Sequence, residues 1–469
     1  MRGGITRRTA LGGAAGLLMV GTGAAALFPK SPKPAARFNR EQLVYDLRFW
    51  RHEVFARHPR YAGLDRLEPE TEAAFLDAIA ACRNGTSRQE AFRLIASVNP
   101  FFRDAHTLLL PWISGNEPSD DDRKVQFPFG IDVAPGTGML LRSTWRHTET
   151  GQMLRKGTPL AHINGVSARQ LIAQLEPFSH GETPLLRSHM LSVMLPGWLD
   201  SVMGWRGAFD IGFGPASGGS DIRWTPGKEW EPQESGPRDL PRLSWPQPEI
   251  AFLKVPTFDV DEDPSTFEKA IEAAFATIRA RNAAGLVIDV RGNTGGQSDA
   301  GAAIIRHLLA QPVVQVSRAR ERLNENNNGL LGYRGKPGEM LEFDLGDKAI
   351  EPVAPAQRYR GPVVVLMDEL TYSAGILFVT SVQDHRLALL AGRPTGGFAN
   401  QTGNMMPTVL PNTGFTGFIA TREFVRPSGD VRQQPVTPDI AFDGEPTAAD
   451  LASLLGEARQ RLGRAVLWP

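Results

Sequence analysis

From Asn39 onward, apolar residues recur every three to four positions. Leu43, Leu47, Trp50 and Val54 fall on one helical face, and Asn39 with Gln42 has the spacing of a capping box. The same period predicts a second helix near 70–83 and a third near 87–98, the latter with Phe92, Leu94, Ile95 and Val98 apolar. At R-D-A-H-T-L-L-L, Arg103 to Leu110, the pattern turns strand-like. Short extended stretches follow, at 127–133 and 139–142. In R-K-G-T-P-L-A-H-I-N-G-V, 155–166, a glycine turn, a short apolar strand and an Asn-Gly turn predict a compact β unit, with a helix over 168–175 behind it. Residues 214–248, rich in glycine, proline and charge, read as an irregular connection. Beyond them strand and helix alternate. Strands are expected at 250–255, 286–290, 363–367 and 387–391, and helices at 264–281, 300–309 and 374–382. Phe267, Ile271, Ala274 and Ile278 give the first of those helices one apolar face. This order predicts an α/β layer with parallel strands.

Composition narrows the class. At about 150 residues per domain, 469 residues suggest about three domains, and 41% hydrophobic with 22% charged residues is ordinary for a globular chain with a sizeable core. The 51 basic and 51 acidic residues cancel, so no global field draws the protein to nucleic acid, and no nucleic-acid partner is expected. Cys82 stands alone and makes no internal disulfide; its A-A-C-R-N-G setting reads as a small buried apolar residue. The chain has no H-E-x-x-H and no P-loop, and its G-F-G-P-A-S-G run lacks dinucleotide-fingerprint spacing, so neither a metal nor a cofactor is expected.

The first residues have a separate character. Arg7 and Arg8 precede an uncharged stretch rich in glycine and alanine, and Ala24, Ala25 and Ala26 offer small residues for cleavage. This resembles a twin-arginine export signal, and implies a periplasmic or cell-envelope location. The alternative is an uncleaved membrane tether. Residues 1–37 are therefore taken as signal and linker.

Two segments carry the candidate chemistry. In L-V-I-D-V-R-G-N-T-G-G, 286–296, an apolar strand runs into a glycine turn whose N–H groups can approach a ligand closely. In V-V-V-L-M-D-E-L-T-Y-S-A-G-I, 363–376, a buried strand ends in a short loop, and Ser373 stands where the next helix begins. A helix N-terminus behind a serine hydroxyl favours developing negative charge, as acyl transfer requires.

Together these segments resemble the catalytic core of the tail-specific, or C-terminal processing, serine protease superfamily. Its "D-x-R-x-N-x-G-G" is matched by Asp289, Arg291, Asn293, Gly295 and Gly296. Its serine motif is matched by Ser373 and Ala374, followed by Gly392, Thr395 and Gly397. P-V-T-P-D at 435–439 echoes a third motif, and Asp104, His106 and Thr107 match "D-x-H-T". The resemblance implies a ClpP/crotonase-like α/β catalytic core at 201–469, an N-terminal helical domain at 38–118 and a PDZ-like β subdomain at 119–200. One branch of the family uses a Ser–Lys dyad, but no lysine follows Ser373. The tricorn-like branch, which shares its core with interphotoreceptor retinoid-binding protein, takes its base from a histidine in the helical region, and His106 fits that place.

The resemblance thus implies Ser373 as nucleophile, His106 as base, and N–H groups of Ala374 and of Gly295 or Gly296 as oxyanion donors. Glu423 and Asp430 are the candidates for the acid that orients the base. His307 and His385 read as surface or helix-capping residues. The expected partner is a protein or peptide substrate. Two other readings stay open: an esterase or amidase with the same chemistry, and a non-catalytic ligand-binding protein on the same fold.

Overall fold

A computed structural model of the chain describes residues 37–111, 126–134, 138–214, 220–225, 230–233, 240–260, 264–329, 333–345 and 348–462. The proposed export signal lies outside the described residues. Among the described residues no helix is long and apolar enough to cross a membrane.

Helix α1 (Arg40–Arg57) begins at the capping box: the Asn39 side chain accepts from Gln42 N, and the Gln42 side chain accepts from Asn39 N. Helices α2 (Pro69–Ala81) and α3 (Arg88–Ala96) follow, the latter capped reciprocally by Ser87 and Glu90. Their apolar faces, with Trp50, Phe75 and Phe92, share one core with Leu410, Phe415 and Ile419 from late in the chain. Buried Asp46 of α1 fastens that junction. Its carboxylate accepts from Asn412 N at 3.0 Å, Thr413 N at 2.8 Å and Thr413 Oγ1 at 2.7 Å, which satisfies an anion removed from water. Cys82 is buried, in line with its apolar setting.

Strand β1 (Leu108–Leu109) leads away from the helices. An antiparallel sheet then combines β2 (Ile131–Ala134), β3 (Gly138–Leu141), β4 (Pro159–Ile163), β5 (Phe209–Phe213) and β6 (Ser220–Trp224), in the order β6-β5-β4-β3-β2. The Asn164–Gly165 turn leaves β4 with φ of 50° and 76°, as an Asn-Gly hairpin requires. Helix α4 (Ala168–Leu175) and helix α5 (Pro184–Val193) lie between β4 and β5 in the chain. The sheet therefore runs past the expected boundary at 200, because β5 pairs with both β4 and β6.

The irregular reading of 214–248 is corrected in the same way. β6 falls inside it, and so does β7 (Arg242–Gln247), which pairs with β8 (Ile250–Lys254). In both cases the adjacent strand supplies the backbone hydrogen bonds that a local reading of glycine and proline does not foresee.

The α/β layer is built on a six-stranded sheet. In spatial order it runs β7, β8, β9 (Gly285–Asp289), β12 (Val363–Met367), β13 (Leu389–Gly392), β16 (Ile440–Ala441). β7 and β8 are antiparallel and every other neighbouring pair is parallel. Every residue of β9 and β12 is buried, as expected of parallel strands covered on both faces. One face carries α6 (Pro264–Ala280), α7 (Ser298–Ile305) and α8 (Ala374–Asp384); α9 (Ala448–Leu462) covers the other with Leu451, Leu454 and Leu455. His307 is buried rather than superficial, with its ring stacked on Phe275 at 4.2 Å.

A further sheet orders β11 (Met340–Glu342), β10 (Arg318–Arg322), β15 (Thr416–Val425) and β14 (Gln401–Val409), and β1 joins β15. Through that pairing, Leu108 and Leu109 lie against Phe418 and Gly417. The early helical region is thereby stitched onto the late part of the chain. A Cβ on Gly417 would sit 2.6 Å from the Trp50 ring. Gly417→Ala is therefore expected to lower stability by ~1–3 kcal/mol, the usual range for overpacking, read as a lower urea midpoint.

Candidate active site

Ser373 is set by two segments that hold each other. β9 runs into 290–296 and β12 into 368–375, side by side in the sheet. Tyr372 N donates to Asn293 O at 2.9 Å, and Thr371 Oγ1 donates to Val290 O at 3.0 Å. Asp368 Oδ1 accepts from Gly292 N at 2.9 Å and from Leu370 N and Thr371 N at 3.1 Å. These bonds force Ser373 to φ 54° and ψ −120°, a conformation that costs an L-residue ~1–3 kcal/mol. Gln401 Nε2 grips the Ser373 carbonyl at 2.8 Å. The serine thus stands at the N-cap position of α8, and its side chain makes no capping hydrogen bond to the helix.

The residues of the glycine motif are mostly structural. Arg291 makes a bidentate pair with Asp289, at 3.0 and 2.9 Å, and Lys254 adds a contact to the same carboxylate at 3.0 Å. Burial alone would raise the Asp289 carboxyl, but these cations outweigh it and hold the group below its ordinary value. Asn293 Nδ2 donates to Val255 O, and Asn293 Oδ1 accepts from Gly295 N at 2.9 Å. The Gly295 N–H is therefore occupied. Gly295 is required for a different reason: with φ 103°, a Cβ there would lie 2.6 Å from Ser373 Cβ and 2.8 Å from Tyr372 O. Ala374 N and Gly296 N donate to no protein group in the hydrogen-bond network of the described residues. Of the expected oxyanion donors, these two are the open ones.

The imidazole reaches the serine from the far end of the chain. His106 follows the three helices and precedes β1, and its loop is tied to β15: Thr107 Oγ1 accepts from Ala420 N at 3.1 Å and donates to Asp104 Oδ2 at 3.1 Å. His106 Nε2 lies 3.0 Å from Ser373 Oγ, and both residues are buried. On the other side of the ring, Nδ1 lies 3.0 Å from Tyr372 Oη, and the two rings stack at 4.9 Å. Tyr372 Oη donates in turn to Glu182 Oε1 at 2.8 Å. A hydroxyl that donates to a carboxylate has its lone pairs free to accept from Nδ1–H. Nε2 is then left unprotonated, ready to accept from the serine hydroxyl.

Asp104 lies beneath the ring. His58 Nε2 contacts its Oδ2 at 2.7 Å, Thr402 Oγ1 donates to its Oδ1 at 2.8 Å, and His106 N donates to the same atom at 2.8 Å. Burial alone would push this carboxyl up, but the two neighbouring imidazoles hold it well below the usual carboxylate range. It is an anion at neutral pH, 3.6 Å from His106 Nδ1, which is a charge contact rather than a hydrogen bond.

Ser373, His106, Ala374 and Gly296 thus converge, whereas Glu423 and Asp430 do not. Glu423 is engaged by Arg320 across the β10–β15 pair, and Asp430 by Arg432, its neighbour two residues on. Their arginines claim them, and the carboxylates that face the His106 neighbourhood are Asp104 and Glu182. Asp104 was visible in the D-A-H-T motif. Tyr372 was visible only as the residue before the serine, and Glu182, in G-E-T-P ahead of α5, carried no signal beyond a helix start. Among the described residues no cluster of histidine, cysteine and acidic side chains could hold a metal ion.

A serine hydroxyl at a strained strand-to-helix turn, an imidazole at hydrogen-bond distance and two open N–H groups define an α/β fold equipped for nucleophilic chemistry. Residues 249–442 match the family model described as Peptidase family S41. It is 26% identical, over 205 residues and 43% of its length, to a chloroplastic C-terminal processing peptidase of Tetradesmus obliquus. The match spans 37% of that relative. In fold the chain is similar to mature CPAF, with a TM-score of 0.61 at 16% identity, covering 92% of this chain and 99% of that one. It is also similar to mature CPAF complexed with lactacystin, with a TM-score of 0.59 at 16% identity, covering 91% and 97%.

Gly295→Ala is expected to lower the reactivity of Ser373 toward a fluorophosphonate by ~10²-fold or more, since the new methyl displaces the serine from the open donors. Glu423→Gln is expected to leave that reactivity within about twofold. Timed labelling of the folded variants checks both.

Proposed function

We propose that this protein is a serine peptidase in which Ser373 attacks a peptide carbonyl and His106 is the general base. The observation that carries the reading is the 3.0 Å contact between His106 Nε2 and Ser373 Oγ, the serine lying within residues 249–442 that match family S41 and the histidine reaching it from outside that segment. In the first step Oγ bonds to the carbonyl carbon and its proton passes to Nε2. The carbonyl oxygen becomes an oxyanion held by Ala374 N–H and Gly296 N–H at the head of α8, where the helix dipole adds to the stabilisation. Nε2 then returns the proton to the leaving amine, and the amine departs from the acyl-enzyme. Water, activated by the same nitrogen, cleaves the ester and restores the serine. Asp104 keeps a fixed negative charge below the imidazolium formed in these steps.

The antiparallel sheet of β2 to β6 with α4 supports a PDZ-like reading, in which a substrate chain end is gathered by strand addition before cleavage. The arginine pair Arg7–Arg8 supports export by the twin-arginine route, and hence substrates in the bacterial cell envelope, with the apolar stretch behind it as signal or tether.

Three variants test the chemistry. Wild type is expected to take a fluorophosphonate label and to hydrolyse peptides, and Ser373→Ala to do neither. His106→Ala should lose both by ~10³-fold or more. A folded wild type that neither labels nor cleaves would remove the peptidase reading. Asp104→Asn should slow hydrolysis by about 5- to 5000-fold, from the ~1–5 kcal/mol that a charge 3.6 Å away contributes to an imidazolium at effective dielectric constants of 80 down to 20. Single-turnover kinetics on a peptide ester reads that loss directly.

A further inference from the structure

Among the described residues no carboxylate lies within hydrogen-bond distance of His106 Nδ1. Asp104 Oδ1 stands 3.6 Å away, and Thr402 Oγ1, at 3.5 Å, already donates to Asp104. The group that meets Nδ1 is Tyr372 Oη at 3.0 Å, and what meets Tyr372 Oη beyond it is Glu182 Oε1 at 2.8 Å. The tyrosine is fully buried and cannot turn to water. Its ring packs against Gly397, where a Cβ would come within 2.5 Å of Tyr372 Cε2. Glu182 Oε2 is shut off from solvent and has no hydrogen-bond partner among the described residues. One carboxyl oxygen is therefore committed to the tyrosine, and the other has no hydrogen-bond partner among the described residues.

This asymmetry has a chemical consequence. An ionised Glu182 accepts from Tyr372, so the tyrosine oxygen accepts from His106 Nδ1–H, and Nε2 is free to take the serine proton. A proton added to Glu182 has no acceptor at Oε2. It goes to Oε1 and is donated to Tyr372 Oη. The tyrosine hydrogen then turns to donate to Nδ1, the imidazole proton sits on Nε2, and Nε2 has no lone pair for the serine. One proton is gained at the carboxyl, and the imidazole exchanges one tautomer for the other. We propose that Tyr372 orients the base and that Glu182, acting through it, is a protonation switch that turns the serine on when ionised and off when protonated. The proposal rests on the reading of Ser373 and His106 as nucleophile and base, and adds a positioning pair supplied partly from outside the α/β core, since Glu182 lies between α4 and α5.

The groups facing Glu182 set where it titrates. Tyr372 comes from the serine turn, Asp104 and Arg60 from the helical region, and His106 and His180 flank Asp104. Burial, and then the fixed charge of Asp104, push the Glu182 carboxyl up to about 8; the Tyr372 hydrogen bond opposes them only in part. Burial pushes the His180 ring down to about 3, so it is neutral and lends no compensating charge. Because the Glu182 value is raised, the carboxylate is the form present above the midpoint, and the serine is switched on as pH rises through it.

Two measurements test this. The rate of Ser373 labelling by a fluorophosphonate is expected to rise about tenfold between pH 7 and pH 9 in wild type, the change in ionised fraction for a single group titrating at about 8. Glu182→Gln and Tyr372→Phe are each expected to remove that limb, while a purely structural loss would lower the rate at every pH and keep it. The second readout needs no reactive serine. The nitrogen-15 spectrum of His106, assigned by its loss in His106→Asn, should change from the Nε2–H to the Nδ1–H tautomer over the same interval in wild type, and should not change in Glu182→Gln. If the limb survives in Glu182→Gln, or the wild-type tautomer is the same at both ends, the switch is overturned while a labelled serine still stands as nucleophile. Absence of labelling at any pH removes the nucleophile reading, and the tautomer measurement still decides the switch, in wild type alone if the variants do not fold.

Discussion

The contact between Ser373 and His106 joins residues 267 positions apart, and much of the architecture serves to keep it. Neither side is local. The serine depends on two neighbouring parallel strands, whose terminal loops exchange hydrogen bonds and hold one residue in a conformation that an isolated chain avoids. The imidazole depends on a loop that has no regular structure of its own, fixed by β1 against β15, by Thr107 on Ala420 and by His58 on Asp104. Arg322 of β10 adds to this by donating to Phe55 O and His58 O at 2.8 and 2.7 Å, so the end of α1 is held from the late sheet as well. The sheet of β10, β11, β14 and β15 is in this sense the frame on which both halves of the site are registered. It carries Gln401 and Thr402 at the start of β14, one gripping the serine backbone and the other the aspartate under the base.

The electrostatics of the site come from two buried carboxyls in opposed circumstances. Asp104 is ringed by imidazoles and hydroxyl and amide donors, and stays charged. Glu182 has one side-chain hydrogen bond, from Tyr372, and the charge of Asp104 nearby; that charge together with burial makes it reluctant to ionise. Low local polarity works on both groups, and the number of donors separates them. Such a pair, one permanently charged and one held near neutrality, is what a site needs if it is to stabilise a cation and also respond to pH.

Much of the fold was legible along the chain because its elements have strong local signatures. The capping boxes at Asn39 and Ser87, the apolar face of α6 and the uninterrupted hydrophobic run of β12 each declare themselves within a few residues. Segments whose strands exist only by virtue of a partner did not. β6 and β7 lie in a stretch of glycine, proline and charge, and they are strands because β5 and β8 lie beside them. The motif residues divide similarly. Asp289, Arg291 and Asn293 sit in the most distinctive sequence of the chain, yet their side chains tie the loop to β8 and to one another, and of the glycines it is Gly296 whose N–H is left open. Glu423 and Asp430 had the right chemistry for an orienting acid, but each is paired with an arginine, Arg320 across the strands and Arg432 close by in the chain.

By itself the sequence determined the α/β alternation, the serine at a strand-to-helix turn and the histidine in a D-A-H-T segment, because each of these is written in contiguous residues by period, turn chemistry or motif. Tertiary structure alone decided which groups surround the imidazole. Tyr372 and Glu182 are 190 positions apart, and the distance and direction between their oxygens follow from how α5 and its preceding turn settle against the serine loop. No local rule carries that information, since a hydrogen bond between distant side chains is fixed by the packing of everything between them.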